Sequence, residues 1–268
     1  MRRSERRGAL AGTWRARLKD GTQLELPRQS LMSWSVAFTG LYDEATVKQI
    51  AGFVRPQTVV LDVGASLGLW TVQLGRLAAA RGAQVWAFEP NPANTPWIAR
   101  NVALNELSGV VTMREIGLGD RAEASTLVSA EYGVGNGAIA LREKEGTRKF
   151  PRIPIVLGRL DDIDLPAPVS FIKIDTEGYE VSFLRGAAEL IERDRPVILG
   201  EFARGWLERR GENLRAALLE LDYDVATLER PRTRSWRSPE LALPRSVDLS
   251  GSEPLPQNLL LRPRERHG

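Results

Sequence analysis

The chain has no cysteine and one histidine among its 268 residues. The lack of cysteine excludes disulfides, zinc–thiolate sites and a cysteine nucleophile. His267 is the penultimate residue, a position that argues against a Ser-His-Asp triad or a histidine metal cluster. Because a chain without disulfides suits a reducing compartment, we expect a cytoplasmic protein.

Long apolar runs and a strong net charge are also missing. No segment approaches the roughly 20 apolar residues of a transmembrane helix, and the basic N-terminal segment lacks the apolar core of a secretory signal. Lys and Arg number 37 against 34 acids, giving a net charge of +3. No basic stripe interleaved with aromatic residues runs through the middle of the chain. We therefore expect neither a membrane span nor a nucleic-acid partner.

The most informative stretch is Thr58–Asn91, which predicts a strand, a helix and a second strand. The first apolar run leads into Asp62 and a turn that begins at Gly64 and ends at Gly68. The second apolar run ends at Glu89. A glycine turn after one strand and an acid after the next are typical of the nucleoside-binding half of a doubly wound sheet.

The chemistry of this turn narrows the ligand. The Gly-Lys-Ser/Thr of a P-loop is missing, and so is the third glycine of the dinucleotide pattern. Asp62 would oppose a bound pyrophosphate but suits a cationic ligand without phosphate, such as S-adenosylmethionine. Glu89 would then accept hydrogen bonds from the ribose hydroxyls. An NAD-type oxidoreductase and an ordinary strand–helix–strand unit with a surface acid are the alternatives.

The remaining patterns predict a single α/β domain over residues 56–268, preceded by a tail, a hairpin and a cap helix over residues 1–55. Seven core strands form a Rossmann-like doubly wound sheet, with a β insertion between the third and fourth strands that contains a glycine-rich run over residues 133–137. The helices are expected over Asp43–Val54, which could cover the cofactor pocket, over Ala93–Asn105 with Ile98, Val102 and Leu104 facing inward, over Tyr179–Arg193, and near Asn213–Leu221.

A second group of polar residues lies at the end of the predicted fourth core strand. Lys173 and Asp175 interrupt its apolar run and lie on one face, because side chains alternate along a strand. Glu177 and Glu180 follow, and Glu201 ends the next strand. Lys173 either forms an ion pair that only stiffens the sheet or takes part in the chemistry. For Glu180, helix capping or surface exposure is favoured over catalysis.

With these residues in view, the chain resembles the FkbM family of S-adenosylmethionine-dependent methyltransferases. The resemblance covers Val59–Phe202 and rests on the motifs VVLDVGASLG, AFEPNP, IKIDTEGYEVSFLRGA and PVILGEF. It implies a seven-stranded fold of the class I methyltransferase type. It also implies O-methylation of hydroxyls on sugars, glycolipids or secondary metabolites.

The resemblance also implies roles for individual residues. A different set of residues would contact each of the three parts of the cofactor, namely the methionine part, the ribose and the adenine. These sets are Asp62, Gly64, Ser66 and Gly68 for the methionine part, Glu89 with Pro90 and Asn91 for the ribose side, and Leu118 to Asp120 for the adenine. Asp175 and Glu177 would border the reacting methyl. Serine at position 66 departs from the family pattern, in which asparagine is common, but it still offers a hydroxyl.

Methyl transfer to a hydroxyl needs a base, and histidine does not supply one here. We favour Asp175 as the base, with Lys173 as its partner or as a clamp on the acceptor, and Glu177 and Glu201 as the other candidates. A carboxylate-held divalent metal is an alternative that we do not favour.

There are two further alternative functions. One is a non-catalytic binding module that retains the fold. A nucleic-acid methyltransferase is disfavoured, because no Asn/Asp-Pro-Pro-Tyr loop follows the fourth strand. The acceptor, a small molecule or a glycan, would meet residues 34–42 and 131–136; its identity and the oligomeric state stay open.

Overall fold

The computed structural model describes residues 12–28, 30, 33, 36, 44–129, 137–139, 152–202, 204–228 and 244–265. The predictions for residues 34, 35 and 37–43, for residues 131–136 and for His267 lie outside these ranges.

Strands and helices alternate along most of the chain. In order they are β1 Thr13–Arg17, β2 Gln23–Pro27, α1 Glu44–Ile50, β3 Val59–Val63, α2 Leu69–Ala79, β4 Gln84–Phe88, α3 Thr95–Leu104, β5 Val111–Arg114, β6 Gly117–Leu118, β7 Glu123–Ser129, β8 Gly137–Ile139, β9 Arg152–Gly158, β10 Val169–Ile174, α4 Glu180–Gly186, α5 Ala188–Asp194, β11 Val197–Glu201, α6 Arg204–Arg210, α7 Leu214–Leu219, β12 Tyr223–Thr227, β13 Arg245–Ser246 and β14 Asn258–Pro263.

The main sheet has the order β13-β12-β14-β11-β10-β3-β4-β5 within the described ranges. Strands β5, β4, β3, β10 and β11 are parallel, and β14 is antiparallel to both of its neighbours. The predicted Rossmann-like α/β fold is confirmed. The main sheet has eight strands in the described part of the chain against the seven predicted, and the two-residue β13 lies at one edge. The strand order reverses between β3 and β10, so a crevice opens where their carboxyl ends meet.

The two strands beside this crevice are buried along their whole length. All five residues of β3 and all six of β10 are buried, as expected for parallel strands covered on both faces. Each carries one charged side chain, and Asp62 and Lys173 lie opposite each other in the strand register. A buried charge is costly unless it is paired, so this juxtaposition sets up the electrostatics of the crevice.

Helix α3 corrects one detail of the predicted core. Ile98 and Val102 are fully or nearly buried, as predicted, but Leu104 is 37% exposed. Leu104 follows Val102 by two residues and therefore lies on the opposite side of the helix. The buried face includes Asn101 instead, which is 0% exposed. The prediction therefore wrongly placed Leu104 in the core and missed the buried Asn101.

The region after β10 also differs from the prediction. The single helix expected over Tyr179–Arg193 is two helices, α4 and α5, because Ala187 leaves the helical conformation with φ −122° and ψ 12°. Helix α6 was not predicted. These corrections do not change the order of the core strands.

The predicted β insertion and N-terminal hairpin are both present. Strands β6, β9, β7 and β8 form a separate four-stranded sheet between β5 and β10 in the chain. Strands β1 and β2 pair antiparallel around Gly21, whose φ of 88° suits a glycine turn. No helix in the described part of the chain is long and apolar enough to cross a membrane.

Candidate active site

A cavity of about 860 Å³, partly open to solvent, lies at the carboxyl ends of β3, β4 and β10. The turn after β3, the end of β4, strand β6 and the loop after β10 form its wall. Helix α1 contributes no lining residue and packs instead on the main sheet, with Val47 and Ile50 in a core cluster that includes Val60. The expectation that this helix covers the pocket was therefore wrong.

The turn after β3 is fixed from both sides by backbone hydrogen bonds. The N–H groups of Gly64 and Ala65 both donate to the carbonyl of Phe88 at 3.0 Å, and Asp175 N–H donates to the Val63 carbonyl at 2.9 Å. Gly64 has a φ of 85°, and a Cβ atom at this position would lie 1.9 Å from the Asp175 carbonyl oxygen. Only glycine fits this turn, because the loop after β10 passes directly beside it.

Glu89 joins the end of β4 to the same turn. Its Oε2 accepts from Ser66 N–H at 2.7 Å, and its Oε1 accepts from Asn91 N–H at 2.9 Å and from Asn94 Nδ2 at 3.1 Å. Burial raises the pKa of Glu89 to about 7, although these three donors favour the ionised form. An ionised carboxylate accepts about four hydrogen bonds, so the position of Glu89 is fixed while some capacity is left for a ligand.

Asp62 is the second buried carboxylate of the cavity, with 1% exposure. Thr71, in the first turn of α2, donates its hydroxyl to Asp62 Oδ2 at 2.5 Å. Burial raises the pKa of Asp62 to about 6, against the opposing effects of Thr71 and of the Lys173 ammonium. The pocket thus holds two carboxylates whose charge would be stabilised by a cationic ligand.

Lys173 and Asp175 lie together in the cavity wall, as the period of two predicted. Lys173 is 4% exposed, its Nζ lies 3.8 Å from Asp175 Oδ2, and it donates to the Ile174 carbonyl at 3.0 Å. The face of the Trp70 ring lies 5.8 Å from the same Nζ. The side chain of Asp175 is 34% exposed. A buried cation therefore holds a carboxylate that reaches solvent in the cavity.

Glu180 organises the loop after β10 from inside. It is 0% exposed, and its Oε1 accepts from the N–H and hydroxyl of Thr176 and from Gly178 N–H, at 2.9 to 3.2 Å. Burial raises its pKa. Glu180 therefore bonds the loop that precedes α4, and the predicted surface exposure was wrong. Its bonds hold Glu177, which has a φ of 53°, in the cavity wall.

The cavity wall includes many of the predicted site residues but not all. Those in the wall are Asp62, Gly64, Ser66, Glu89, Pro90, Leu118, Lys173, Asp175 and Glu177.

Four predicted residues do not line the cavity: Gly68, Asn91, Asp120 and Glu201. Gly68 caps helix α2 with a φ of 81°, and Asn91 is buried beneath Glu89. Asp120 lies 3.7 Å from Arg121. Glu201 accepts from Gln257 at 2.8 Å, and burial together with the Asp175 charge raises its pKa. The roles of these four residues stay predictions.

Several residues of the site were missed from the sequence. Trp70 and Tyr179 line the cavity, and Thr71 and Asn94 support Asp62 and Glu89 from the starts of α2 and α3. The one available signal was their position, since polar residues at a helix start next to a strand-end acid are well placed to bond it. Within the described ranges, no group of three or more His, Cys, Asp or Glu side chains could hold a metal ion.

The family model described as the methyltransferase FkbM domain matches residues 62–225, which is more than half of the chain. The chain belongs to the FkbM methyltransferase family. The match confirms the resemblance that the motifs indicate, and S-adenosylmethionine as the cofactor. The NAD-type alternative gains no support from it.

Other known proteins are similar to this FkbM methyltransferase over much of its length. "Methyltransferase 1" from Beauveria bassiana is 24% identical over 203 residues, covering 69% of this chain and 78% of the relative. The methyltransferase FkbM structure from Methylobacillus flagellatus KT is 18% identical with a TM-score of 0.44, over 81% of this chain and 47% of that one. This chain thus spans about half the length of that protein.

A SAM-dependent O-methyltransferase structure from Thermotoga maritima is 12% identical with a TM-score of 0.45, over 95% of this chain and 79% of that one. Both TM-scores are low, so the family assignment rests on the sequence match alone.

The residues present fit the cofactor of the family. Gly64 lines the cavity with backbone alone, and the buried carboxylates of Asp62 and Glu89 suit a ligand with two cationic groups and two ribose hydroxyls. No phosphate-binding lysine or arginine lines the cavity near this turn; its one basic lining residue among those described is Lys173. The donor set therefore matches a sulfonium nucleoside better than a nucleotide.

Proposed function

We propose that this protein is an S-adenosylmethionine-dependent O-methyltransferase that acts on a hydroxyl of a sugar, a glycolipid or a secondary metabolite. The observation that supports this most is the shared cavity. One part of the wall holds the Gly64 turn and Glu89, and the adjoining part holds Asp175 beside Lys173. The proposed cofactor-binding residues and a partly exposed carboxylate thus line the same cavity, which is the arrangement that methyl transfer to an alcohol requires.

In this proposal the residues near β3 and β4 bind the cofactor. The Gly64–Gly68 turn and Asp62 hold the methionine part, Glu89 with Pro90 and Asn91 holds the ribose, and Leu118 with Asp120 lies at the adenine. When bound, S-adenosylmethionine supplies an activated methyl group, so the protein has to align the acceptor and exclude water. Trp70 and Tyr179 provide aromatic wall on the remaining sides.

Asp175 accepts the proton of the acceptor hydroxyl. Its carboxylate is partly exposed in the cavity and lies 3.8 Å from the Lys173 ammonium. The ammonium is itself buried and fixes the position of the carboxylate. Glu177 lines the same wall and is the second candidate base. Glu201 is less suited, because it lies outside the wall and is bonded to Gln257.

The test is methyl transfer by the purified full chain to a panel of neutral sugars, glycolipids and phenolic alcohols, with labelled S-adenosylmethionine. We expect Asp175→Asn to lower kcat by about 100-fold or more, the usual contribution of a general base, and to leave the cofactor dissociation constant within about twofold. Asp224→Asn is the matched control, since Asp224 is 63% exposed, pairs with Arg264 and lies in strand β12, three strands away from β10 in the sheet.

Equal kcat values for Asp175→Asn and the wild type would overturn the assignment of Asp175 as the base. Methylation of nitrogen or carbon acceptors only would overturn the O-methyltransferase part of the proposal.

A further inference from the structure

Asn101 connects the N-terminal hairpin to the cofactor turn through a single side chain. It lies on the buried face of α3 and is 0% exposed. Its Oδ1 accepts from the backbone N–H of Glu25 in β2 at 2.7 Å. Its Nδ2 donates to the backbone carbonyl of Leu67 at 3.0 Å. Leu67 belongs to the Gly64–Gly68 turn, so one amide bridges two segments that are far apart in the chain.

Both ends of this bridge are backbone groups in a region without water access to the amide. A buried backbone donor or acceptor that loses its partner carries a desolvation cost. An amide is the side chain that offers a donor and an acceptor at once, whereas a carboxylate of the same shape offers acceptors only. Asparagine at position 101 is therefore matched to both partners.

The surrounding packing ties the hairpin, α3 and the turn into one body. Leu24 and Leu26 of the hairpin are buried in the same core cluster as Leu67 of the turn and Ile98 of α3. At the end of the turn, a Cβ on Gly68 would lie 3.1 Å from the Cα of Ile98. The backbone of α3 therefore packs directly behind the turn, and a shift of α3 would move it.

Asn105, one helical turn further on, provides an internal comparison. It exchanges hydrogen bonds with the backbone of Gln23, accepting at 3.0 Å and donating at 2.7 Å. These bonds attach the hairpin to α3 but do not extend to the turn. The two asparagines thus separate attachment of the hairpin from support of the cofactor site.

We propose that Asn101 is a positioning residue through which the N-terminal hairpin fixes the shape of the cofactor turn. The preceding residue of the turn transmits the effect, because Ser66 N–H donates to the carboxylate of Glu89. If Leu67 moves, the Ser66 amide and the Glu89 carboxylate lose their alignment. The hairpin thereby stabilises the geometry of the cofactor site. This inference rests on the proposed binding of the cofactor at the Gly64–Gly68 turn.

The test uses the full chain and measures the dissociation constant of S-adenosylhomocysteine by calorimetry. Asn101→Leu removes both hydrogen bonds while keeping the branched shape of the side chain, and Glu25→Pro removes the N–H that donates to Asn101. Both should weaken binding about tenfold, the equivalent of one buried group losing its partner.

Two matched variants show whether these effects are specific. Glu25→Ala keeps the backbone N–H and loses only the side-chain contacts to Arg15 and Arg100, and Asn105→Ala loosens the hairpin without touching the turn. Both should bind within about twofold of the wild type. Amide hydrogen exchange over residues 65–68 should rise in Asn101→Leu and stay unchanged in Asn105→Ala, even where both variants lower the melting temperature.

Wild-type affinity and unchanged exchange in folded Asn101→Leu and Glu25→Pro would overturn the inference while leaving the proposed function intact. If Asn101→Leu does not fold, the Glu25→Pro and Glu25→Ala pair decides it, since equal affinities for the two variants would overturn it. A wild-type protein that does not bind S-adenosylhomocysteine would overturn this inference and the proposed function together.

Discussion

Glu89 holds three hydrogen bonds from its own chain, and burial still raises its pKa to about 7. In the proposed site the ionised carboxylate can accept a further hydrogen bond from a ribose hydroxyl, so cofactor binding should release protons where Glu89 is half protonated. We expect the affinity for S-adenosylmethionine to increase as the pH rises from 6 to 8. Calorimetry at pH 6.5, in two buffers with different ionisation enthalpies, measures the number of protons released.

Two glutamine variants test whether Glu89 is the group that releases the protons. Glu89→Gln should bind the cofactor more weakly and abolish the part of the proton release that Glu89 supplies. Glu189→Gln removes a carboxylate that is 81% exposed and should behave as the wild type. Equal proton release by the wild type and Glu89→Gln would show that Glu89 does not titrate with binding.

At the scale of elements, the Gly64 turn depends on two separate properties of glycine. Gly64 and Gly82 both have positive φ, 85° and 66°, but only Gly64 has a backbone atom in the place of a Cβ. Gly82→Ala should lose about 1 kcal/mol of unfolding free energy, the cost of a left-handed alanine. Gly64→Ala should lose about 3 kcal/mol, because the overlap with the Asp175 carbonyl adds to it.

Urea denaturation of the two alanine variants, compared with the wild type, measures this difference. Cofactor binding by the folded fraction should be lost in Gly64→Ala and kept in Gly82→Ala. Equal losses of stability in the two variants would show that the contact with the loop after β10 does not constrain the turn.

The sequence predicts the core elements well where burial is uniform. The strands β3 and β10 are near-continuous apolar runs, and the acids after them mark the crevice before any coordinates are known. Prediction failed where tertiary contacts override periodicity. Ala187 breaks a helix that its pattern would continue, and α3 buries Asn101 in place of the apolar Leu104.

The wall of the cavity shows the same limit. Asp62, Glu89 and Asp175 are recognisable from the sequence, since a charge at the end of a buried strand needs a reason to be there. Tyr179 and Trp70 are aromatic residues at helix starts. Tyr179 lies at the cavity because it packs on the β insertion, and Trp70 lies there beside Lys173. Their part in the site depends on distant segments that local patterns do not encode.

At the scale of the whole molecule, the buried acids should give the unliganded protein an unusual pH dependence. Burial raises the pKa values of Asp62 and Glu89 from 3.8 and 4.5 to about 6 and about 7. Between pH 4 and 7 the folded state therefore binds more protons than the unfolded state. Stability then falls as the pH rises through this window, opposite to the behaviour of salt-bridged acids.

We expect the unfolding free energy without cofactor to fall by at least about 1 kcal/mol between pH 5 and pH 8, as one pKa unit corresponds to about 1.4 kcal/mol. Urea denaturation at a series of pH values measures it. Glu89→Gln should flatten the curve. The pKa values of Asp20 and Asp248 are lowered, so these two groups change the unfolding free energy only near pH 4 and below. An unfolding free energy that increases over the same range would contradict the assigned burial of these acids.

The most direct test of the account is calorimetric titration of the purified full chain with S-adenosylmethionine. The wild type should bind one equivalent, and Asp62→Ala and Glu89→Ala should each weaken binding at least about tenfold, since each removes a charged partner of the ligand. Absence of binding by the folded wild type, or equal affinities for all three proteins, would contradict it.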